Sequence, residues 1–445
     1  MASSSSKHLL IGIATFAAGL ATSHFAFRGE SSEPVPQTAT YAPDKSAIPD
    51  YKARPGRFRP IPQRGPADNA DIEALGDLGY AGGYEPSPDD TGVVFYASDF
   101  TEDGLNLFHD GSGPTASVID MDGNVVHRWH YELSNLLDME EIHSIAETMA
   151  RIPDKYGYWR RVHAFPNGDL LAIFADAALI KLDKDSNLLW AWRGAVHHDL
   201  WVDPDNGEIF VLARKIRVVP RFSKTRESAE DFVTVLSADG EFLREYSILE
   251  AVMRSNFSSL QHLSPRGGDL QHTNTIEVLD GRLADRSPAF KAGNILLSLC
   301  RIDTIVVLDV TTERVVWSMA GPWYRQHQPT VLDNGNMLLF DNRGFGGKSK
   351  VIEFDPFSQE IVWAYRHSAK APFSSLSCGS NQRLENGNTV IVETDSGRAF
   401  EVDSRGKIVW EFLTPNRAGD NQNLIATLFD VIRLPHDYFS DWLEE

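Results

Sequence analysis

Apolar and polar residues alternate along six segments of the chain from residue 118 onward, and all six share one plan. Each begins with an alternating apolar stretch, passes through a polar turn rich in Asp, Gly, Asn or Ser, and ends in a second stretch that carries an aromatic residue. A period of two interrupted by such turns predicts a β-hairpin. The six segments are 118–129, 179–192, 233–246, 305–319, 351–365 and 399–412.

A second hairpin pattern precedes most of these segments. It occurs at 162–174, 197–213, 327–340 and 379–393, and an insertion splits it between residues 271 and 299. Two hairpins make a four-stranded unit, and repetition of such a unit predicts a β-propeller. We therefore expect an all-β fold, a six-bladed β-propeller with four-stranded antiparallel blades. The missing strand pair is expected from 92–98 and 427–434, which would close the ring, and 134–151 is predicted to be a helical insertion.

The N-terminal region has a different composition. An apolar run at 9–27 lies between Lys7 and Arg28 and is about long enough to span a bilayer. We predict that residues 1–28 are a signal peptide or an N-terminal membrane anchor, and both possibilities stay open. Residues 29–91 are rich in Pro and Ser and are predicted to be a linker, which leaves 92–440 as the propeller. Either possibility predicts an exported protein that is periplasmic or anchored to a membrane and faces away from the cytoplasm.

The charge of the chain restricts its partners. With 62 acidic and 42 basic residues, the formal net charge is −20. Nucleic-acid binding requires a basic surface, so we predict no nucleic-acid partner. An anionic substrate would have to be held by a local cluster of positive groups. Cys300 and Cys378 are too few for a disulfide framework and form either one disulfide or two buried thiols.

Imidazole groups open four of the five front hairpins. In a propeller the first strand of each blade lines the central channel, so we expect these side chains to converge there. Each second strand returns antiparallel beside the start of the first, which predicts that Arg301 lies beside His272 and Asn274. The opening residues are His163, His197–His198, His272, His327 and Ser380–Asn381; the returning ends carry Arg214, Lys215, Arg301, Asn342 and Arg343.

Histidines beside arginines suit an anion better than a metal. A guanidinium group offers paired donors that match a tetrahedral oxyanion. Clustered histidines can also bind a metal ion, but such sites usually add carboxylates and disfavour a neighbouring arginine. We therefore predict no metal and no cofactor.

The order and spacing of five short motifs resemble the bacterial arylsulfate sulfotransferases over about residues 92–440. The motifs are HHD, QHTN, CRID, QHQPTVLDNGNMLLFDN and QRLENGN followed by GRAFEV. The resemblance implies an exported six-bladed propeller that transfers a sulfuryl group from an aryl sulfate to a phenol without a nucleotide sulfate donor. The insertion between Asn274 and Arg301 departs from the family pattern.

The resemblance also implies roles for individual residues. His327 matches the nucleophile that attacks sulfur and becomes a sulfohistidine, and His272 with Asn274 matches the family's His-x-Asn pair. Arg301 matches the sulfate-binding arginine, and His198 a further channel histidine. His272 or His198 would serve as acid or base, or His272 would bind sulfate. Arg343 and Ser380 complete the predicted substrate-binding set. Trp323 and Tyr324 would either flank an aromatic substrate or pack within a blade.

Two other function classes remain open at this stage. One is an exported, non-catalytic binding propeller. The other is a quinoprotein-like oxidoreductase, which would predict an adjacent cysteine pair and a calcium-binding set of carboxylates.

Overall fold

The computed structural model describes residues 90–148, 157–257, 259–260, 268–344, 348–368, 371–418 and 424–443. The predicted signal or anchor segment, 1–28, and nearly all of the predicted linker lie outside the described residues. Within the described part of the chain, no helix has the length and apolar character needed to cross a bilayer.

The described chain forms six antiparallel sheets arranged as the blades of a propeller, which confirms the predicted fold. We number the blades in chain order, and each has four core strands. The strands are β1 (Gly92–Tyr96), β2 (Leu105–Asp110), β3 (Thr115–Ile119), β4 (Val125–His130), β5 (Arg161–Ala164), β6 (Leu170–Phe174), β7 (Ala178–Leu182), β8 (Leu188–Arg193), β9 (Val196–Val202), β10 (Ile209–Val218), β11 (Glu227–Leu236), β12 (Phe242–Ser247), β13 (Thr273–Val278), β14 (Ile295–Leu299), β15 (Thr304–Asp309), β16 (Arg314–Ala320), β17 (His327–Val331), β18 (Met337–Asp341), β19 (Lys350–Phe354), β20 (Ile361–Arg366), β21 (Ser380–Arg383), β22 (Thr389–Glu393), β23 (Arg398–Val402), β24 (Ile408–Leu413), β25 (Arg417–Ala418), β26 (Leu424–Ile425) and β27 (Leu428–Leu434).

Blades 2 to 5 are β5–β8, β9–β12, β13–β16 and β17–β20, each in sequence order. Blade 6 is β21–β24, and β25 pairs with β26 outside the blades. The helices are short and lie between strands. They are α1 (Met139–Thr148) and α2 (Ile248–Met253), with 3-10 turns at Ser98–Phe100, Leu133–Asn135, Pro288–Phe290, Cys300–Ile302 and Thr394–Ser396. The predicted helical insertion is thus present as α1 and the turn before it.

The C-terminal strand closes the ring, but with a different partner from the one predicted. β27 forms the inner strand of blade 1 and pairs with β2, whereas β1 pairs with β24 as a fifth, outer strand of blade 6. Burial explains the difference. Every residue of β2 is buried, as a strand inside a blade requires, whereas β1 is only half-buried and suits an edge.

The apolar core is divided among the six contacts between neighbouring blades. Alternate residues of one strand point to opposite faces of its blade. In β18, for example, Leu338 and Phe340 pack toward blade 6, whereas Met337 and Leu339 pack toward blade 4. The same division recurs around the ring, including the contact that joins blade 6 to blade 1. Each blade therefore depends on both of its neighbours for burial.

Two repeated side chains explain the repeated sequence pattern. An Asp at the start of the outer hairpin turn accepts backbone N–H groups further along the turn; Asp120, Asp183 and Asp403 each accept from the second and fourth residues after them. A Trp near the end of the hairpin then donates to a backbone carbonyl of the next blade. Such Trp–carbonyl bonds are Trp129 to Gly168, Trp190 to Ala238, Trp363 to Ser404 and Trp410 to Met121.

Candidate active site

The first residues of all six inner strands meet around one pocket. It encloses about 310 Å³ of empty space, part of it open to solvent. The inner strands are β5, β9, β13, β17, β21 and β27, and each contributes from the same end. The lining residues, in that order, are Arg160 and Arg161; His198 and Asp199; Asn274 and Thr275; His327 and Gln328; Cys378, Gly379 and Ser380; and Phe429.

Irregular backbone directs several of these side chains inward. The pairing of β9, β13 and β17 with their neighbours shifts register beside the pocket residues. Bulges of this kind redirect side chains near active sites. His198, His272, Gln328 and Cys378 have φ values of 54°, 51°, 45° and 53°, in the left-handed region that non-glycine residues seldom occupy. Such conformations concentrate at functional sites because they hold side chains where regular strands cannot.

Hydrogen bonds to Nδ1 fix the protonation of His327. Nδ1 lies 2.7 Å from Asn342 Oδ1 and 3.1 Å from the backbone oxygen of Arg325. The Asn342 amide nitrogen donates to the carbonyl oxygens of Ser375 (2.8 Å) and Cys378, so its oxygen must face the imidazole. Both neighbours of Nδ1 are therefore acceptors, and Nδ1 carries the hydrogen. In the neutral ring, the lone pair lies on Nε2.

A second chain of contacts reaches the pocket through His198. His197 Nε2 lies 3.3 Å from Asp231 Oδ1, and His197 Nδ1 is 2.8 Å from His198 Nδ1. With the carboxylate facing Nε2–H, His197 Nδ1 accepts from His198 Nδ1–H, which leaves the lone pair of His198 on Nε2. Burial, together with the nearby charges of His272 and Arg160, holds the pKa of His198 well below 6.5. His198 is therefore neutral at neutral pH.

His272 forms a pair with Asp269 directly behind His198. Its ring contacts that of His198 edge to face, with 4.7 Å between centroids, and its Nδ1 donates to Asp269 Oδ2. Burial alone would raise the pKa of Asp269, but the hydrogen bond and the nearby charge of His272 hold that pKa below its ordinary value. The ionised carboxylate thus orients the His272 ring by holding its Nδ1–H.

Two carboxylates neutralise one of the two arginines in the pocket. Arg161 Nε lies 2.8 Å from Asp199 Oδ1, and its Nη1 donates to Asp430 Oδ2. Asp199 also accepts the backbone N–H of Ile276 at 3.1 Å, and Asp430 accepts the hydroxyl of Ser380 at 2.6 Å. This network joins the inner strands of blades 1, 2, 3, 4 and 6. It makes Arg161 a structural cross-link at the centre of the ring.

The predicted site residues fall into two groups. His198, Asn274, His327 and Ser380 line the pocket, and His272 stands behind His198. Arg301 and Arg343 do not line it. Arg301 donates its backbone N–H to the oxygen of Gln271 and thus lies next to His272 along the strand pair, as expected. Arg343 donates Nε to the oxygen of Leu376.

The structure also shows where His163, Trp323 and Tyr324 lie. β5 begins at Arg161, two residues before His163, so an arginine and not an imidazole opens blade 2. Trp323 is buried in the core between blades 4 and 5 and donates to the backbone oxygen of Asp303, which makes it a packing residue. Tyr324 is 49% exposed.

Several pocket residues were not anticipated from the sequence. Arg160 and Phe429 carry the clearest consequences. Asn342 was named from the sequence as the returning end of a strand, but its contact with His327 was not predicted. The paired arginines at 160–161, directly before an apolar strand, are the sequence feature that indicates positive charge at this end of blade 2. Gly379 lies at φ 96°, where a Cβ atom would come within 2.6 Å of the Phe340 ring, so that only glycine fits.

The described residues contain no group of three or more His, Cys, Asp or Glu side chains arranged to hold a metal ion. Cys300 and Cys378 are both buried and form no disulfide. They lie in different blades and are not an adjacent pair.

Comparison with known proteins gives one informative match. No curated protein matches the chain. Solved structures resemble it distantly. One is a protein of unknown function from Bacteroides caccae, which is 14% identical in sequence with a TM-score of 0.46; the alignment covers 74% of this chain and 98% of that one. A second is a streptogramin B lyase, with 13% identity, coverage of 81% of this chain and 95% of that one, and a TM-score of 0.41. A third is a virginiamycin B lyase from Staphylococcus aureus, with 11% identity, coverage of 62% of this chain and 83% of that one, and a TM-score of 0.35. We assign no function from likenesses this distant.

The model of the family described as arylsulfotransferase (ASST) matches residues 161–415, which is more than half of the 445-residue chain. The match begins at the first residue of β5 and includes the inner strands of blades 2 to 6, with His198, His272 and His327. The chain belongs to the arylsulfotransferase family.

Proposed function

We propose that this sulfotransferase moves a sulfuryl group from an aryl sulfate to a phenol, through a sulfohistidine on His327 and without a nucleotide donor. The observation that carries the proposal is the fixed tautomer of His327. Its Nδ1–H is held by two acceptors, which leaves the lone pair on Nε2, the nitrogen that would act as the nucleophile in the central pocket. Family membership supports sulfotransferase activity in general.

In the first half-reaction Nε2 attacks sulfur, the N–S bond forms and the bond from sulfur to the aryl oxygen breaks. The departing phenolate takes a proton from His272, whose Nδ1 rests on the ionised Asp269. In the second half-reaction His272 removes the proton of the acceptor phenol, and that oxygen attacks sulfur as the N–S bond breaks. Both His327 and His272 return to their starting states.

The remaining predicted residues take supporting roles in this proposal. His198, with its lone pair on Nε2, is the alternative base, and Asn274 and Ser380 offer polar contacts to substrate oxygens. The Asn274 amide donates to the oxygen of Gln326 at 2.9 Å, which holds it beside His327. Arg301 stays a proposed sulfate ligand on the strength of its place beside His272, and Arg343 stays one on family resemblance alone.

The decisive experiment is mass spectrometry of the protein after exposure to an aryl sulfate without acceptor. We expect a gain of one SO₃, mapped to His327, that disappears when a phenol is added. His327→Ala should abolish both the gain and the turnover, while the exposed His130→Ala serves as a matched control and should retain both. Transfer by His327→Ala, or sulfation elsewhere, would overturn the nucleophile assignment. Binding of aryl sulfates without transfer by the wild type would favour the non-catalytic binding propeller.

We also propose that residues 1–28 direct export, with 9–27 as either the cleaved segment or the anchor. N-terminal sequencing of the mature protein, combined with separation of membrane and soluble fractions, distinguishes these outcomes. Retention of the full chain in the cytoplasm would contradict the proposal.

A further inference from the structure

The two guanidinium groups of the pocket differ in charge compensation. Arg161 is held by Asp199 and Asp430, so it adds little net positive charge. Arg160 contacts neutral groups instead: its Nη2 lies 3.5 Å from Cys378 Sγ, and its guanidinium lies over the Phe429 ring, 5.1 Å from the centroid. No carboxylate among the described residues forms an ion pair with Arg160. Of the two arginines that line the pocket, Arg160 is therefore the one that no carboxylate of the described residues compensates.

The support beneath Arg160 is rigid. Phe429 is buried, and its ring contacts the rings of Tyr158 at 5.1 Å and His109 at 5.8 Å between centroids. A ring held by these contacts gives the guanidinium a fixed surface. Arginine is weakly hydrated and stacks well on aromatic rings, so it can stay ordered without a carboxylate partner. An arginine held by a ring and a thiol keeps its hydrogen-bond donors available for an anion.

Arg160 also lies across the pocket from His327. It directly precedes the inner strand of blade 2, whereas His327 opens the inner strand of blade 5, on the opposite side of a six-membered ring. An anion between these walls would meet the guanidinium from one side and Nε2 of His327 from the other. Arg301, in blade 4, is absent from the lining.

We propose that Arg160 binds the sulfate group of the donor, and that Phe429 positions it. This inference rests on the proposed function, since it assigns the donor's anionic group to a residue of the same pocket. The guanidinium would hold sulfuryl oxygens as charge shifts to the leaving phenolate.

Binding can be measured apart from turnover with 2-naphthalenesulfonate, because its sulfonate group is bonded to carbon and cannot be transferred. Neutral 2-naphthol serves as the reference. By calorimetry, Arg160→Gln should raise the Kd of the sulfonate about tenfold to a hundredfold and leave that of naphthol nearly unchanged. Arg314→Gln, at an exposed position on the outer strand of blade 4, is the matched control and should stay within about threefold of wild type. Thermal unfolding checks that each variant is folded.

Two further variants guard against loss of folding. Arg160→Ala should regain transfer when guanidinium ions are added, which a merely structural role would not produce. Phe429→Leu should raise the KM for the donor more than it lowers kcat, and Phe429→Tyr, which keeps the ring, should restore it.

The outcomes separate this inference from the proposed function. Loss of sulfonate binding in Arg160→Gln but not in Arg314→Gln supports Arg160. If the wild type transfers sulfuryl groups and Arg160→Gln binds the sulfonate equally well, the assignment of Arg160 is wrong and the proposed function stands. If the wild type neither transfers nor binds the sulfonate, both are wrong.

Discussion

At the scale of single residues, the chemistry of the pocket depends on which atoms carry hydrogen. Asn342 donates both amide hydrogens to carbonyl oxygens of the loop before blade 6 and leaves its oxygen for His327. A loop of one blade thus sets the tautomer of a histidine that opens the neighbouring blade. A group that hydrogen-bonds a reacting residue and fixes its orientation commonly affects activity without contacting substrate.

Replacement of Asn342 by Leu should therefore lower kcat without a comparable rise in the KM for the donor. The Nδ1–H of His327 would lose the Asn342 acceptor and keep the Arg325 carbonyl, and we expect kcat to fall about tenfold or more. Steady-state kinetics tests this, and ¹⁵N NMR of the imidazole should show a mixture of tautomers. Asn334→Leu, in the turn at the far end of the same hairpin, is the control. Equal kinetic effects of the two changes would argue against the role of Asn342.

Acid should destabilise the protein through His163. Burial, and then the charge of Arg161, lower the pKa of His163 from 6.5 to about 4. The unfolded chain therefore binds a proton before the folded one does, so stability is lost as pH falls from about 6.5 towards 4. The loss approaches about 1.4 kcal/mol per pH unit for each such group.

Chemical denaturation at a series of pH values measures this effect. His163→Gln should show a shallower fall in unfolding free energy between pH 6.5 and 4 than the wild type does. His130→Gln, at an exposed position, should follow the wild-type curve. A His163→Gln curve parallel to that of the wild type would mean that His163 does not titrate in this window.

At the scale of elements, the fourth strand of a blade is tied to the next blade by its tryptophan. Trp410 is fully buried and donates Nε1–H to the oxygen of Met121, so it joins blade 6 to blade 1 at the point where the ring closes. Arg433 of β27 reinforces this closure through an ion pair of 3.0 Å with Glu401 of blade 6, and both side chains are buried.

Trp410→Phe should lower the unfolding free energy by about 1–3 kcal/mol, because the Met121 carbonyl would be left buried without its donor. The same change at Trp363, whose ring is half-buried where it bonds the Ser404 oxygen, should cost less than about 1 kcal/mol. Denaturant titration compares the two. A larger loss at Trp363 would show that burial does not govern the value of these bonds.

What the sequence predicts at this scale follows from the range of the interactions. The hairpins were predictable because alternation and the turn aspartates, such as Asp120 and Asp403, act within a few residues. The partner of β27 was not, because the choice between β1 and β2 depends on burial within the closed ring. Arg160 was also missed, since the start of β5 was set two residues too late by the histidine pattern.

Among the predicted site residues, those set by local sequence were likewise identified, whereas roles that depend on long-range contacts were not. His198, His327 and Ser380 were found because each opens an inner strand, which is a local feature. The bulges and left-handed residues that direct them inward arise from pairing between strands. Asn342 was named as a strand end, but its role requires carbonyl groups more than thirty residues away, which no local pattern indicates.

At the scale of the whole molecule, the proposed reaction requires a chain with a net charge of −20 to bind an anionic donor. Long-range repulsion is screened by salt over about 10 Å at 0.1 M, whereas interactions inside the pocket are screened less. Raising the ionic strength should therefore increase kcat/KM for the aryl sulfate by about twofold to tenfold and leave that for the neutral phenol unchanged. Initial rates from low to moderate salt test this. A decrease for the donor would mean that the local field of Arg160 outweighs the overall charge.

The position of β27 determines when activity can arise during synthesis. Phe429, beneath Arg160, and Asp430, which joins Arg161 to Ser380, are translated after every other pocket residue. A chain still on the ribosome holds His327, His198 and Asn274 but lacks the inner strand of blade 1. Because domains are made from the N-terminus onward, we expect the proposed sulfuryl transfer to begin only after residue 434 has been added. The order of translation thus delays completion of the pocket around His327, the proposed nucleophile, until the ring is closed.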